Sequence, residues 1–214
     1  MKTLFKKNIL LILFCIPAIA NAQFSKGDIF LGGNVTGSNS HASQPGNGNF
    51  YYNKNSTRSF SVYPTMGYFV NERFAVGGQL GFQHSVTEYT GNSISQTNRT
   101  NGYSVGVLGR YFFPISSTFM FALTGDVYYS RNKNRVENTN AGSESESTSK
   151  AYETGLQIIP TFLFFPSSHW GFEASIGSLG YAHSQNLSNS SKQDNVALNY
   201  GYVSLGVAYY FRKS

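Results

Sequence analysis

Arg110, Asp126, Glu153 and Glu173 stand out in this 214-residue chain because each sits where a small residue is the rule. Around them apolar residues alternate with glycine, serine or threonine, and the charge falls on the small parity. Three carboxylates and a guanidinium facing one enclosed space can do either of two things. They can pair and satisfy a polar interior, because a lone buried charge is costly. Or they can form a charged gate over the passage of a solute. Arg110 and Glu173 lie at similar short distances from tight turns, so they are expected to meet at one level. Asp126 and Glu153 lie higher, on neighbouring segments, and Gln79, Gln83 and Gln157 can extend the network.

Two His-Ser pairs, His84-Ser85 and His183-Ser184, raise a nucleophilic chemistry. A serine needs a base within hydrogen-bond reach and a third group orienting that base. Adjacent residues on a strand face opposite ways, so neither pair meets this need by itself. Glu88 is the nearest acidic candidate for orienting His84. His41 and His169 stand alone, so the sequence supports no metal site, no cofactor and no catalytic residue.

The elements that must position these residues are strands. Phe119, Phe121, Leu123, Val127 and Tyr129 occupy one parity, and Met120, Ala122, Thr124, Asp126 and Tyr128 the other. A period of two is the strand period. The pattern predicts eight strands, over 27–36, 58–70, 74–87, 102–113, 118–130, 151–165, 170–182 and 196–211. Pro64 and Pro160 fall inside them, where a bulge or a missing ladder bond is expected. The connections alternate. Those at 71–73, 114–117 and 166–169 are tight, and those near 37–57, 88–101, 131–149 and 183–195 are long and polar. This is the arrangement of an up-and-down antiparallel barrel with short turns at one end.

Volume decides which face points outward. An eight-stranded interior is only wide enough for side chains to fill it. The bulky parity cannot fit there, whereas the parity of Gly32, Gly67, Gly77, Gly81, Gly106, Gly155, Gly177 and Gly206 can. A soluble secreted barrel, with bulky residues turned inward around a ligand, is the competing architecture. Aromatics also cluster at strand ends. Phe69, Phe74, Tyr111, Phe112, Phe113, Phe119, Phe165, Trp170, Tyr209 and Phe211 lie near the tight turns. Tyr89, Tyr103, Tyr129, Tyr152, Tyr181 and Tyr200 lie near the long connections. Two such bands are the girdles of a lipid-embedded barrel.

The first 22 residues read as a cleaved signal peptide. Lys2, Lys6 and Lys7 precede a short apolar run, and Ala20-Asn21-Ala22 is a small-x-small cleavage site. The mature domain is then 23–214. It contains no cysteine, since Cys15 falls in the signal, which excludes a disulfide scaffold and a cysteine-ligated metal. Phe14 before Cys15 argues against lipidation. The mature chain keeps 13 basic and 10 acidic residues, too mild a balance for nucleic acid. The long connections suit either a hydrophilic cap or contact with a surface ligand.

Three stretches carry a family likeness: Tyr63–Val70, the turn and strand Asn71–Gly78, and the closing Val203–Phe211. With them the chain resembles small outer-membrane β-barrel proteins of the OmpA/OmpX type, in their Bacteroidota form. The resemblance implies an eight-stranded transmembrane barrel in the outer membrane of a Gram-negative cell. It further implies contact with outer-membrane lipid, passage by way of periplasmic chaperones, and a C-terminal strand whose Tyr209 and Phe211 are read by the barrel-assembly machinery. Here Arg212-Lys213-Ser214 follow Phe211, where the family pattern stops on the aromatic. The expected role is structural or surface-interacting, as a monomer with a filled lumen. A narrow pore gated by the lumenal charges is one alternative, and a lipid-modifying enzyme is another.

Overall fold

The computed structural model describes residues 24–43, 54–91, 94–140 and 142–212. The expected signal peptide lies outside these. Eight strands follow in chain order: β1 (Ile29–Ser43), β2 (Lys54–Phe69), β3 (Phe74–Thr90), β4 (Ile94–Pro114), β5 (Phe119–Asn140), β6 (Ser143–Phe164), β7 (Trp170–Asn186) and β8 (Lys192–Phe211). Each pairs antiparallel with the next, and β1 pairs with β8 to close a barrel. The closing seam is short. It joins Ile29–Asn34 to Gly206–Phe211, whereas β5 and β6 stay in register from Phe119 and Phe164 to Asn140 and Ser143. Ile29 lies opposite Phe211, so the first and last strands share the tight-turn end of the barrel.

The bulky parity faces out. Leu31, Leu80, Val107, Val127, Leu156 and Leu205 are all exposed on the outer surface. On β5 this apolar row runs from Phe119 to Tyr129. At about 3.3 Å per residue and a tilt of about 40°, it spans about 25 Å, the height of a hydrocarbon layer. Trp170, Phe113, Phe119, Phe164 and Phe211 edge it at one end, and Tyr103, Tyr129 and Tyr181 at the other.

Three members of the expected lower girdle belong elsewhere. Phe69, Phe112 and Phe165 are fully buried inside the barrel. Each neighbours an outward aromatic, respectively Tyr68, Tyr111 or Phe113, and Phe164, so the pleat turns it to the lumen.

The expected long connections are largely strand. The outer ends of β4, β5 and β6 run up to about ten residues beyond the range that the apolar pattern predicts. Apolar alternation marks a strand only while one face is in lipid. Above that level both faces are wet and the pattern vanishes, yet the ladder still satisfies the backbone. Ion pairs on the outer surface hold the extension: Arg135 reaches Glu146 at 2.7 Å and Glu137 at 3.0 Å, and Arg99 reaches Glu137 at 3.5 Å.

Both prolines disturb the sheet. The β2–β3 ladder skips from Val62 to Thr65 around Pro64, and the β6–β7 register shifts between Ile158 and Thr161 around Pro160. Opposite that shift Gly177 adopts a φ of 80°, which a side chain would strain. The bulge restores the pleat, so that Ile176 and then Leu179 both point outward.

Candidate functional site

The lumen has two storeys. The lower, at the tight-turn end, is an aromatic plug. Phe24 enters it from the segment before β1, held by a turn in which Ser25 N donates to Asp28 Oδ2 at 2.9 Å. Gly27 N and the Asp28 carbonyl then pair with the backbone of Phe69, each at 2.9 Å. The Phe24 ring lies 4.2 Å from Phe69, 5.0 Å from Phe112, 5.1 Å from Tyr210 and 5.8 Å from Phe165, centroid to centroid. Phe30, Met120, Leu163 and the small Ala75, Ala122 and Ala208 complete the fill. Gly67 leaves room for the Phe30 ring, which any side chain there would strike. A guanidinium lies on either side of the plug. Arg110 sits 5.2 Å from the Phe30 ring and 6.0 Å from Phe112, and Arg212 sits 5.0 Å from Phe24 and 5.8 Å from Phe165. Both are within cation–π range.

Arg110 is the floor of the upper storey. Its Nη1 donates to Glu173 Oε1 at 2.8 Å and its Nε to Thr124 Oγ1 at 2.9 Å. The Tyr210 hydroxyl donates to the same Glu173 oxygen at 3.4 Å. Glu173 reaches Arg110 from three strands around the barrel, so this contact ties β4 to β7 across the lumen.

Above the floor lies a cavity of about 550 Å³. Asp126 and Glu153 line it with Gln157, Tyr63, Tyr128, Ser130 and Asn132. Gln157 Nε2 donates to Asp126 Oδ2 at 2.9 Å, and the Tyr128 hydroxyl donates to Glu153 Oε1 at 2.8 Å. Gln79 and Gln83 also line the cavity, but they hydrogen-bond to none of the four charged residues. Tyr128, Thr124 and Tyr210 are partners that the reading for charges passes over. All three lie on the inward parity, which is the signal that could have found them.

The His-Ser pairs split as the pleat requires. His84 Nδ1 is 2.7 Å from Asn101 Oδ1 and has no acidic partner, so Glu88 does not orient it. His183 Nδ1 is 2.8 Å from Asp194 Oδ1, an acidic partner on the adjacent strand that spacing in sequence conceals. The Tyr181 hydroxyl donates to the same oxygen at 2.6 Å, and these two bonds hold the Asp194 carboxyl below its ordinary range. Ser184 lies on the opposite face, where its hydroxyl donates to the Gln193 carbonyl at 3.4 Å. Among the described residues no hydroxyl hydrogen-bonds to the His183 ring. The described residues contain no cluster of three metal-ligating side chains. Tyr209 and Phe211 face outward at the lower rim, where Tyr209 packs against Trp170 and Phe211.

The outer membrane protein beta-barrel domain family matches residues 9–211. Among solved structures, the outer membrane protein OprG from Pseudomonas aeruginosa is 12% identical, with 90% of this chain and 99% of that one aligned and a TM-score of 0.41. The translocator domain of the autotransporter NalP from Neisseria meningitidis is 11% identical, covering 98% and 95% of the two chains, with a TM-score of 0.44. The N-terminal barrel domain of Pseudomonas aeruginosa OprF is 13% identical, covering 87% and 98%, with a TM-score of 0.30. No curated protein matches the chain significantly. A family match over nearly the whole length, on an antiparallel sheet that turns its apolar face outward, makes this chain a member of the outer-membrane β-barrel protein family.

Proposed function

We propose that the mature chain, residues 23–214, is an eight-stranded transmembrane barrel with a structural or cell-surface role and no through passage. The aromatic plug carries this reading. Phe24, Phe69, Phe112, Phe165 and Tyr210 are each at most 1% exposed, and they fill the bore beneath the Arg110–Glu173 contact. A gate made of that ion pair alone would leave the plug still shut when it opened. The tight turns and both termini face the periplasm, and the strand extensions rise into the medium. The signal peptide is removed after Ala22. Phe24 is then the second residue of the mature chain, and cleavage leaves it free to seat as the stopper. Tyr209 and Phe211 present the assembly signal, lipid surrounds the apolar band, and the barrel works as a monomer. Any surface ligand meets the extended strand ends.

Single-channel recording of the refolded barrel in a planar bilayer, beside its Arg110→Ala variant, tests the closed reading. Neither protein is expected to give discrete conductance steps. Steps in the native protein, altered in the variant, would establish the gated pore instead.

A further inference from the structure

We infer that the outer wall across β5 and β6 carries a binding site for the phosphate headgroup of an outer-leaflet lipid, with Arg131, Lys133 and Lys150 as its cationic ligands. The site rests on the transmembrane reading above, which puts lipid against this wall. The register sets Arg99 opposite Arg135, Glu137 opposite Glu146 and Lys133 opposite Lys150. Like charges directly opposite one another destabilise a sheet. The first two pairs are bridged. Glu137 takes Arg99 at 3.5 Å and Arg135 at 3.0 Å, and Arg135 takes Glu146 at 2.7 Å. The third pair has no such bridge. Lys133 has Asn101 and Lys150 as its cross-strand neighbours, and Arg131, one outward step below it, stands between Tyr103 and Tyr152. All three cations are exposed, and among the described residues no carboxylate forms an ion pair with any of them.

The second observation is their level. On β5 the outward aromatic row ends at Tyr129, and the next outward residue is Arg131. On β6 it ends at Tyr152, and the next is Lys150. Two strand residues at a tilt of about 40° rise about 5 Å. The cations therefore begin one such step above the tyrosines, whose rings mark the headgroup level. A lipid phosphate already lies at that height, because its acyl chains lie against the exposed Val127 and Leu156 below.

The feature belongs to one flank of the barrel. On β7 and β8 the first outward polar residues beyond Tyr181 and Val196 are His183 and Asp194, which lie 2.8 Å apart. They pair within the protein, so that flank calls for no outside counter-ion. On β5 and β6 the missing partner is an anion. Guanidinium and ammonium groups both match phosphate oxygens, the first as a fork and the second as a point charge. Lys150 lies opposite Lys133 and diagonal to Arg131, so one phosphate can lie among all three. A zwitterionic headgroup would bring its own cation and restore the repulsion.

Quenching by brominated lipid tests the site. Tyr129→Trp in a Trp170→Phe background puts the chain's single indole just below the cations. The barrel is refolded into phosphatidylcholine bilayers in which a fixed fraction of the lipid is dibrominated phosphatidic acid or dibrominated phosphatidylcholine. Phosphatidic acid is expected to hold the site about fivefold more tightly or better, the factor for one net cation–headgroup contact. Adding Arg131→Gln, Lys133→Gln and Lys150→Gln should bring the two lipids to parity, while Lys192→Gln on β8 should leave the preference as it was. A heat-dependent shift in electrophoretic mobility confirms that each variant is folded. Equal occupancy by the two lipids before the charges are removed, or a preference that survives the triple change, would overturn the site. Loss of the preference in millimolar inorganic phosphate at constant ionic strength would overturn the lipid assignment in favour of free phosphate. Quenching by neither lipid would overturn the transmembrane reading and the site with it, so the two failures are told apart.

Discussion

Glu173→Ala is expected to lower the unfolding free energy of the refolded barrel by about 3–5 kcal/mol. The reason is the charge it leaves behind. The Arg110 and Glu173 side chains are 10% and 14% exposed, with 2.8 Å between Nη1 and Oε1. Deleting the carboxylate strands a guanidinium between the plug and the upper cavity, with Thr124 as its remaining hydrogen-bond partner. Arg110→Ala should cost a similar amount, because Glu173 then keeps only the longer bond from Tyr210. Replacing both by apolar residues of like volume should cost far less than either single change, since the pair's own desolvation penalty disappears with it. Urea titration in micelles, followed by Trp170 fluorescence, would measure all three. Additive losses in the double variant would show that the two residues act independently.

The plug gives the second large effect. Phe24→Ala should cost about 3–5 kcal/mol, the range for deleting a buried aromatic ring. The ring stacks on Phe69 and Tyr210 and meets Phe112 and Phe165 edge-on, so no single neighbour can collapse into its place. Phe24 precedes β1 and belongs to no ladder. Its loss therefore leaves every strand pair intact, and the whole deficit comes from packing. Phe24→Leu should restore much of the stability by refilling the space. A midpoint of unfolding unchanged in Phe24→Ala would mean that the ring is not seated in the barrel.

The all-β antiparallel architecture and the choice of outer face were legible because the lipid imposes them residue by residue. Leu31, Val107 and Leu205 can face only outward when the alternative is a bore that Gly32, Gly106 and Gly206 already crowd. The shared level of Arg110 and Glu173 was legible from their similar distances to tight turns. The plug was written in the sequence but passed over. Tyr68-Phe69, Tyr111-Phe112, Phe164-Phe165 and Tyr209-Tyr210 are adjacent aromatics, and on a strand one of each pair must enter the lumen. Phe24 carried no such mark, because it lies before the first alternation. The strand extensions were hidden for a physical reason: with water on both faces, no period distinguishes a paired strand from a polar loop. The His183–Asp194 contact depends on the shifted register between β7 and β8 around Gly177, which spacing alone does not reveal.

The central claim is a lumen open to the outside and sealed from the periplasm. Single cysteines test it directly, because residues 23–214 contain none of their own. Ser130→Cys places a thiol in the upper cavity, and Lys26→Cys places one on the exposed turn below the plug. A membrane-impermeant maleimide added to intact cells should label Ser130→Cys and leave Lys26→Cys unmodified until the outer membrane is permeabilised. Labelling of Lys26→Cys in intact cells would contradict the seal or the orientation, and protection of Ser130→Cys would contradict the open upper cavity.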